Sequence, residues 1–269
     1  MTVQVYVNDI SRHWLDPLER GFQYGDGLFE TMAVRQGELP HWLYHWERLV
    51  AGCERLNIPV PDQAALEDKI TRLIRQQAKA VVKLIVSRGN STRGYRIPPK
   101  QNPTQVLYLS PWLDYPAHYA EQGIHLKVCR TPLGMNPALA GIKHLNRLEQ
   151  ILARNEWQDE KFQEGVMLNT SGHVIEGTMS NIFWVKAGQL YTPDLTECGV
   201  LGITRQRVLE KTKENGMDVR IVRQHIDSLY EADEVFMTNS LFGIWPVQSI
   251  EDRQYTAGPI TQLLQNLVN

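Results

Sequence analysis

The sequence predicts an α+β fold in two domains, a small α/β domain over residues 1–112 and a larger, barrel-like domain over residues 123–269, with a linker at 113–122. Three observations carry that reading. In the first 110 residues, two stretches with helical apolar spacing lie among short strand-like runs. Between Ser110 and Gly123 the periodicity stops, and Pro111 and Pro116 interrupt a mixed stretch. Beyond it, short apolar runs crowd together with turns between them, as an antiparallel sheet or barrel requires.

The elements follow in order. Val3, Val5 and Val7 alternate with polar residues along a first strand closed by Asn8 and Asp9. Phe29 to Val34 reads as a second strand. From His41 to Asn57, Trp42, Trp46, Leu49, Cys53 and Leu56 recur at helical spacing, and Pro59 and Pro61 stop the helix. Asp62 caps a second helix running to about Ala78, with Leu66, Ile70 and Leu73 inward. Val81 to Val86 and Val106 to Leu109 are short apolar runs of the buried-strand type. In the second domain the spacing predicts strands at Ile124–Val128, Gly165–Leu168, Val174–Glu176, Ile182–Val185 and Gln189–Tyr191. A helix is expected from Asn146 to Trp157 and another from Thr204 to Asn215, with Gly216 after it. Strands at Val219–Val222 and Glu234–Met237 and a helix from Ile260 complete the chain.

Composition narrows the function. Of 269 residues, 42% are hydrophobic and 22% charged, an ordinary globular balance. A net charge of -2 argues against nucleic acid or an acidic membrane as partner. No stretch approaches the roughly 18 apolar residues of a membrane span, and the first residues lack the pattern of an export signal. Cys53, Cys129 and Cys198 form no CxxC pair and are expected to be neither catalytic nor metal-binding. The expected location is the cytoplasm, where such thiols stay reduced.

Three local features bear on chemistry. Leu133 to Ile142 carries no charge, is broken by Gly134, Pro137 and Gly141, and delivers Lys143. A partly desolvated amine has a lowered pKa and is a better nucleophile, although a solvated lysine at a helix start is the plainer alternative. Gly202-Ile203-Thr204 opens a helix, where free backbone N–H groups and the positive dipole end can seat a phosphate; a simple Thr204 cap is the competing reading. Arg48 lies at the flank of its helix's apolar stripe, able to reach a buried anion or to lie along the surface.

A resemblance adds what spacing cannot. Gly141-Ile142-Lys143-His144-Leu145-Asn146-Arg147-Leu148-Glu149-Gln150 resembles the lysine segment of aminodeoxychorismate lyases, members of the fold-type IV pyridoxal-phosphate enzymes. Phe22 to Glu30 resembles the family's FGDGxFE-like signature, and Glu176 to Phe183 its E-G-x-x-x-N-x-F block. Leu201-Gly202-Ile203-Thr204-Arg205 resembles its P-G-I-T-R turn, with Leu201 in the proline position. The resemblance implies that Lys143 holds pyridoxal 5'-phosphate covalently and is the catalytic residue. Glu176 would face the pyridine nitrogen, and Arg48, the Ile203 and Thr204 amides and Thr238 would hold the phosphate. Ser87 to Tyr95 resembles the lyase loop S-R-G-x-G-G-R-G-Y, with Ser91 and Thr92 at the glycine positions; it offers Arg88 and Arg93 to the two substrate carboxylates. The activity implied is conversion of 4-amino-4-deoxychorismate to 4-aminobenzoate and pyruvate in folate biosynthesis, by a homodimer with no bound metal. D-amino-acid and branched-chain aminotransferases share the fold, and a cofactor-binding paralogue without activity is a further alternative.

Overall fold

A computed structural model describes residues 2–8 and 10–268. It divides into two compact units: the chain up to Leu113 together with Ile142–Asn146, and Asp114–Gly141 together with the chain from Arg147 onward. The five residues around Lys143 therefore belong to the first unit, although the chain on either side of them belongs to the second.

The first unit contains β1 (Gln4–Val7), β2 (Ile10–Ser11), α1 (Arg20–Tyr24), β3 (Gly27–Arg35), α2 (Trp42–Leu56), α3 (Gln63–Ile74), β4 (Lys79–Ser87) and β5 (Thr104–Pro111). The strands form one antiparallel sheet in the order β2-β1-β5-β4-β3. Period-2 alternation sends Leu28, Glu30, Met32 and Val34 of β3 to a buried face, while Phe29 and Thr31 are only half-buried. Helix α2 starts after His41 and stops at Asn57, both in left-handed conformation. Asp62 caps α3 through the Ala65 N–H at 2.8 Å. That helix ends at Ile74, short of the expected Ala78. Helix α1, five residues between a Glu19 cap and the left-handed Gly25, is too short to leave a periodic signal and was not expected. Of the expected first turn, Asn8 is left-handed and Asp9 lies outside the described residues.

The second unit contains α4 (His118–Glu121), β6 (Ile124–Val128), α5 (Leu148–Arg154), β7 (Glu164–Leu168), β8 (Val174–Gly177), β9 (Asn181–Lys186) and β10 (Gln189–Pro193). After them come α6 (Ile203–Glu214), β11 (Val219–Val222), α7 (Asp227–Tyr230), β12 (Glu234–Asn239), β13 (Gly243–Ile250), β14 (Arg253–Gln254) and α8 (Pro259–Val268). Helix α4 lies inside the stretch expected to be a linker, and α5 is shorter than the expected 146–157 helix. The sheet runs β11-β10-β9-β12-β13-β6-β7-β8 and curls into a half-barrel, with β14 added to β13.

Of the antiparallel sheet or barrel expected, the half-barrel is what forms, and its pairing is mixed, because β10–β11, β13–β6 and β6–β7 pair in parallel. The β10 to β11 and β6 to β7 connections carry helices α6 and α5, and such crossovers return the chain in the same direction. Strand β13 was not read from the sequence, since Pro246 breaks its strand signal.

Both faces of the second unit's sheet are covered. Ile182, Trp184, Val235, Met237, Trp245 and Val247 pack on one side, while Phe183, Val185, Phe236 and Ile244 meet Val208 of α6 and Leu264 of α8 on the other. Two buried faces explain why β9 and β12 read as continuous apolar runs.

Candidate active site

Lys143 is half-buried and lies beside β3. Its carbonyl accepts the Phe29 N–H at 2.9 Å, and Leu145 N–H donates to Gly27 O at 3.0 Å. The segment thus extends the sheet edge, and its Nζ stands 4.5 Å from the centre of the Phe29 ring. Asn146 reaches Gly25 O at 3.2 Å. A second amine, Lys83 on β4, stands 5.1 Å from the centre of the same ring. The two amines are therefore separated by no more than those distances combined. Lys83 has no ion pair among the described residues, and burial lowers its pKa from the ordinary lysine value. The sequence reading passed over it because a lysine in an apolar strand run carries no motif.

One residue along β3 from Phe29, Glu30 is 2% exposed and takes Arg48 in a two-pronged pair, Nε to Oε1 at 2.8 Å and Nη2 to Oε2 at 2.6 Å. His45 Nδ1 lies 2.6 Å from the same Oε2. Burial would raise the Glu30 pKa, but Arg48 and His45 outweigh it and hold it at about 2. Arg48 is thus fixed by a carboxylate partner that the sequence reading did not assign, although Glu30 closes the signature block.

In the second unit Asn181, to which the sequence alone assigns no role, links Glu176, Thr238 and the turn that leads into Ile203 and Thr204. Glu176, at the end of β8 and 4% exposed, accepts the Val200 N–H at 2.8 Å and Asn181 Nδ2 at 3.4 Å. Asn181 Nδ2 also donates to Val200 O at 2.8 Å. Thr238 on β12 sits directly across the ladder from Asn181 on β9. A Cβ on Gly202 would run into Asn181 Oδ1, so this helix entry needs glycine for space.

Helix α6 starts at Ile203 behind Gly202, with no side chain capping its first N–H groups. Gly141 is strapped to the same turn, its N–H to Gly199 O at 2.9 Å and its carbonyl to Leu201 N–H at 3.0 Å. Two arginines lie nearby. Burial lowers the pKa of Arg147, and that of Arg205 to about 10, against the opposing pull of Glu176 on both and of Asp194 on Arg205.

The two arginines of the 87–95 loop have different surroundings. Arg88 is 4% exposed, and all five of its N–H groups meet acceptors of its own unit. Nε and Nη2 grip Asp26 at 2.8 and 2.9 Å, Nη1 donates to Asn57 O and Gln101 Oε1 at 2.8 and 2.9 Å, and Nη2 also reaches Leu56 O at 2.7 Å. Arg88 thus clamps the fold, with its five donors met inside the first unit. Arg93 is exposed. Ser91 and Thr92 cause no backbone difficulty, because the left-handed positions of this loop fall on Gly89 and Gly94. The cysteines are buried, and burial pushes the thiols of Cys53, Cys129 and Cys198 up to about 11, 12 and 12, far from thiolate chemistry.

Residues 27–250 match the class IV amino-transferase family. An aminodeoxychorismate lyase of Vibrio harveyi is 39% identical over 98% of this chain and 99% of that protein. The crystal structure of 4-amino-4-deoxychorismate lyase from Pseudomonas aeruginosa superposes with a TM-score of 0.94 at 43% identity, covering 97% of each chain. The branched-chain-amino-acid aminotransferase of Escherichia coli K12 is 29% identical over 92% of this chain and 84% of that one.

The chain belongs to the class IV aminotransferase family, whose cofactor is pyridoxal phosphate. The residues of the second unit fit such a group. The Thr238 hydroxyl is buried without a hydrogen-bond partner among the described residues, no side chain caps the first α6 amides, and Glu176 holds a carboxylate at Val200, three residues before that helix. A phosphate would satisfy the first two and a pyridinium the third. No helix among the described residues is long and apolar enough to cross a membrane.

Proposed function

We propose that the chain is an aminodeoxychorismate lyase, converting 4-amino-4-deoxychorismate to 4-aminobenzoate and pyruvate. The observation that carries this reading is the end-to-end likeness to lyases at 39% and 43% identity, against 29% for the aminotransferase. Bound pyridoxal phosphate supplies an aldehyde that joins to amines and a protonated ring that accepts an electron pair.

In this reading Lys143 Nζ would hold the cofactor, and as a free amine would remove the proton from the amine-bearing ring carbon of the substrate and return one to the departing three-carbon group. Glu176, tethered by Val200 and Asn181, keeps a proton on the pyridine nitrogen. Thr238 Oγ1 and the Ile203 and Thr204 N–H groups would hold the phosphate, and the family resemblance adds Arg48, oriented by Glu30, as a further phosphate ligand. Arg93 and Lys83 supply the cations for the two substrate carboxylates; Lys83 takes the part that Arg88, fully engaged, cannot.

Aromatisation of the ring makes the elimination one-way. The deciding experiment is to supply aminodeoxychorismate with no keto acid. Equal yields of pyruvate and 4-aminobenzoate support the lyase, whereas turnover only with an added keto-acid acceptor supports an aminotransferase. A homodimer is part of the proposal: Leu148, Ile151 and Leu152 of α5 are 73%, 60% and 59% exposed, an apolar stripe suited to a second copy. Sedimentation of an active monomer would contradict it. Three unpaired cysteines fit a cytoplasmic location.

A further inference from the structure

The loop that carries Arg93 has no regular structure of its own, yet it is folded around one buried side chain, Arg20 of α1. That residue is 3% exposed. Its Nη1 donates to Ser91 Oγ at 2.9 Å and to Gly94 O at 2.8 Å, and its Nη2 to Tyr95 O at 3.3 Å. Nε is held by Asp26 at 2.7 Å, and Asp26 in turn is gripped by Arg88. The guanidinium also lies 5.1 Å from the centre of the Tyr24 ring, which meets Tyr95 edge-on at 5.4 Å. The loop's entry is fixed as well, with Arg20 N–H to Gly89 O at 3.0 Å and Ser91 N–H to Leu18 O at 3.1 Å.

A single nitrogen therefore fastens the residues on both sides of the Thr92-Arg93 pair. Ser91 takes part through an oxygen that glycine would not have. Gly94 supplies the left-handed turn (φ 78°) that aims its carbonyl back at Arg20, with open space where its Cβ would be.

We propose that Arg20 is a positioning residue for substrate capture, latching the 91–95 loop so that Arg93 is presented in one place to a substrate carboxylate. The proposal rests on the reading of Arg93 as a substrate cation. An arginine already placed costs less entropy on binding than one on a wandering loop, and misplacing a binding group by about 1 Å can cost up to a hundredfold in rate. Arg20 touches neither substrate nor cofactor in this account, so its loss should move KM far more than the cofactor's absorbance.

The test uses holoenzyme of Arg20→Lys, Arg93→Ala and the double variant, with trypsin cleavage after the exposed Arg93 as a readout independent of turnover. Arg20→Lys should cleave faster at Arg93 and raise KM for aminodeoxychorismate roughly tenfold, and the double variant should bind no worse than Arg93→Ala alone, as coupled residues do. Additive losses in the double variant, or unchanged cleavage in Arg20→Lys, overturn the proposal while the reading of Arg93 stands. An unchanged KM in Arg93→Ala overturns that reading, and the proposal with it. If Arg20→Lys does not fold, Ser91→Gly decides: faster cleavage at Arg93 supports the latch and wild-type cleavage overturns it.

Discussion

Replacing Glu30 by glutamine should destabilise the protein at neutral pH and leave it nearly unchanged in acid. The carboxylate is wholly buried, paired twice with Arg48 and once with His45, and its pKa lies at about 2 instead of the ordinary 4.5. That depression corresponds to roughly 3 kcal/mol, at about 1.4 kcal/mol for each pH unit. Because the folded value is the lower one, this stability is fully present above pH 4.5 and is lost as the pH falls toward 2. Glutamine matches the protonated acid in shape and charge, so the variant mimics at every pH what the wild type becomes only in acid. Urea unfolding of the two proteins between pH 7 and 3 should give a gap of about 3 kcal/mol at neutrality that narrows steadily below pH 4.5. Cofactor affinity should fall as well, since Arg48 loses the partner that orients it. A gap that stays constant across that range would refute the argument, because it would mean that the pair's charge contributes nothing.

Glu176→Gln should retain cofactor yet lose about a hundredfold in kcat, since an amide cannot keep the ring nitrogen protonated; near-normal turnover would reject the role. Thr238→Val removes a buried hydroxyl with no partner, so the apoprotein should be as stable as wild type or up to about 1 kcal/mol more so, while cofactor titration shows weaker binding. Equal cofactor affinity in both proteins would remove Thr238 from the phosphate site. Lys83→Ala should raise KM or lower kcat/KM for aminodeoxychorismate by about 1.5–3 kcal/mol with the cofactor spectrum intact. Arg88→Ala should instead lower stability first, because half-buried Asp26 is left with one arginine fewer and the Leu56 and Asn57 carbonyls lose their donor; a stable variant with only a KM defect would restore Arg88 to the substrate.

What the sequence made legible follows from how far each signal reaches. The α2 stripe and the β4 run are local patterns, and their boundaries came out within about two residues. Parallel pairing in the second unit depends on where the chain returns after α5 and α6, which no local pattern records. Helix α1 is held by Glu19 at one end and Gly25 at the other, two contacts that a five-residue segment cannot announce through periodicity. Strand β13 was hidden by Pro246, tolerated because its neighbours on both sides supply the rest of the ladder.

The candidate site divides along the same line. Lys143, Glu176 and the Ile203-Thr204 turn are visible in sequence because the chemistry needs a particular residue beside particular backbone, and so leaves a motif. Arginines are different. Arg20, Arg88 and Arg93 all carry the same charge near the same loop, and the sequence offers no reason to rank them. The ranking comes from donor accounting: Arg88 has every N–H engaged, Arg20 turns four hydrogen bonds onto the loop and Asp26, and Arg93 alone is exposed. A buried arginine whose donors are all satisfied by its own fold is part of the scaffold, however well its charge would suit the ligand. The same accounting raises Lys83, an ammonium on β4 with no ion pair among the described residues, standing 5.1 Å from the centre of the ring that Lys143 approaches at 4.5 Å. A partly desolvated ammonium facing the same ring as Lys143, with no carboxylate paired to it among the described residues, is an arrangement that an anionic substrate would complete.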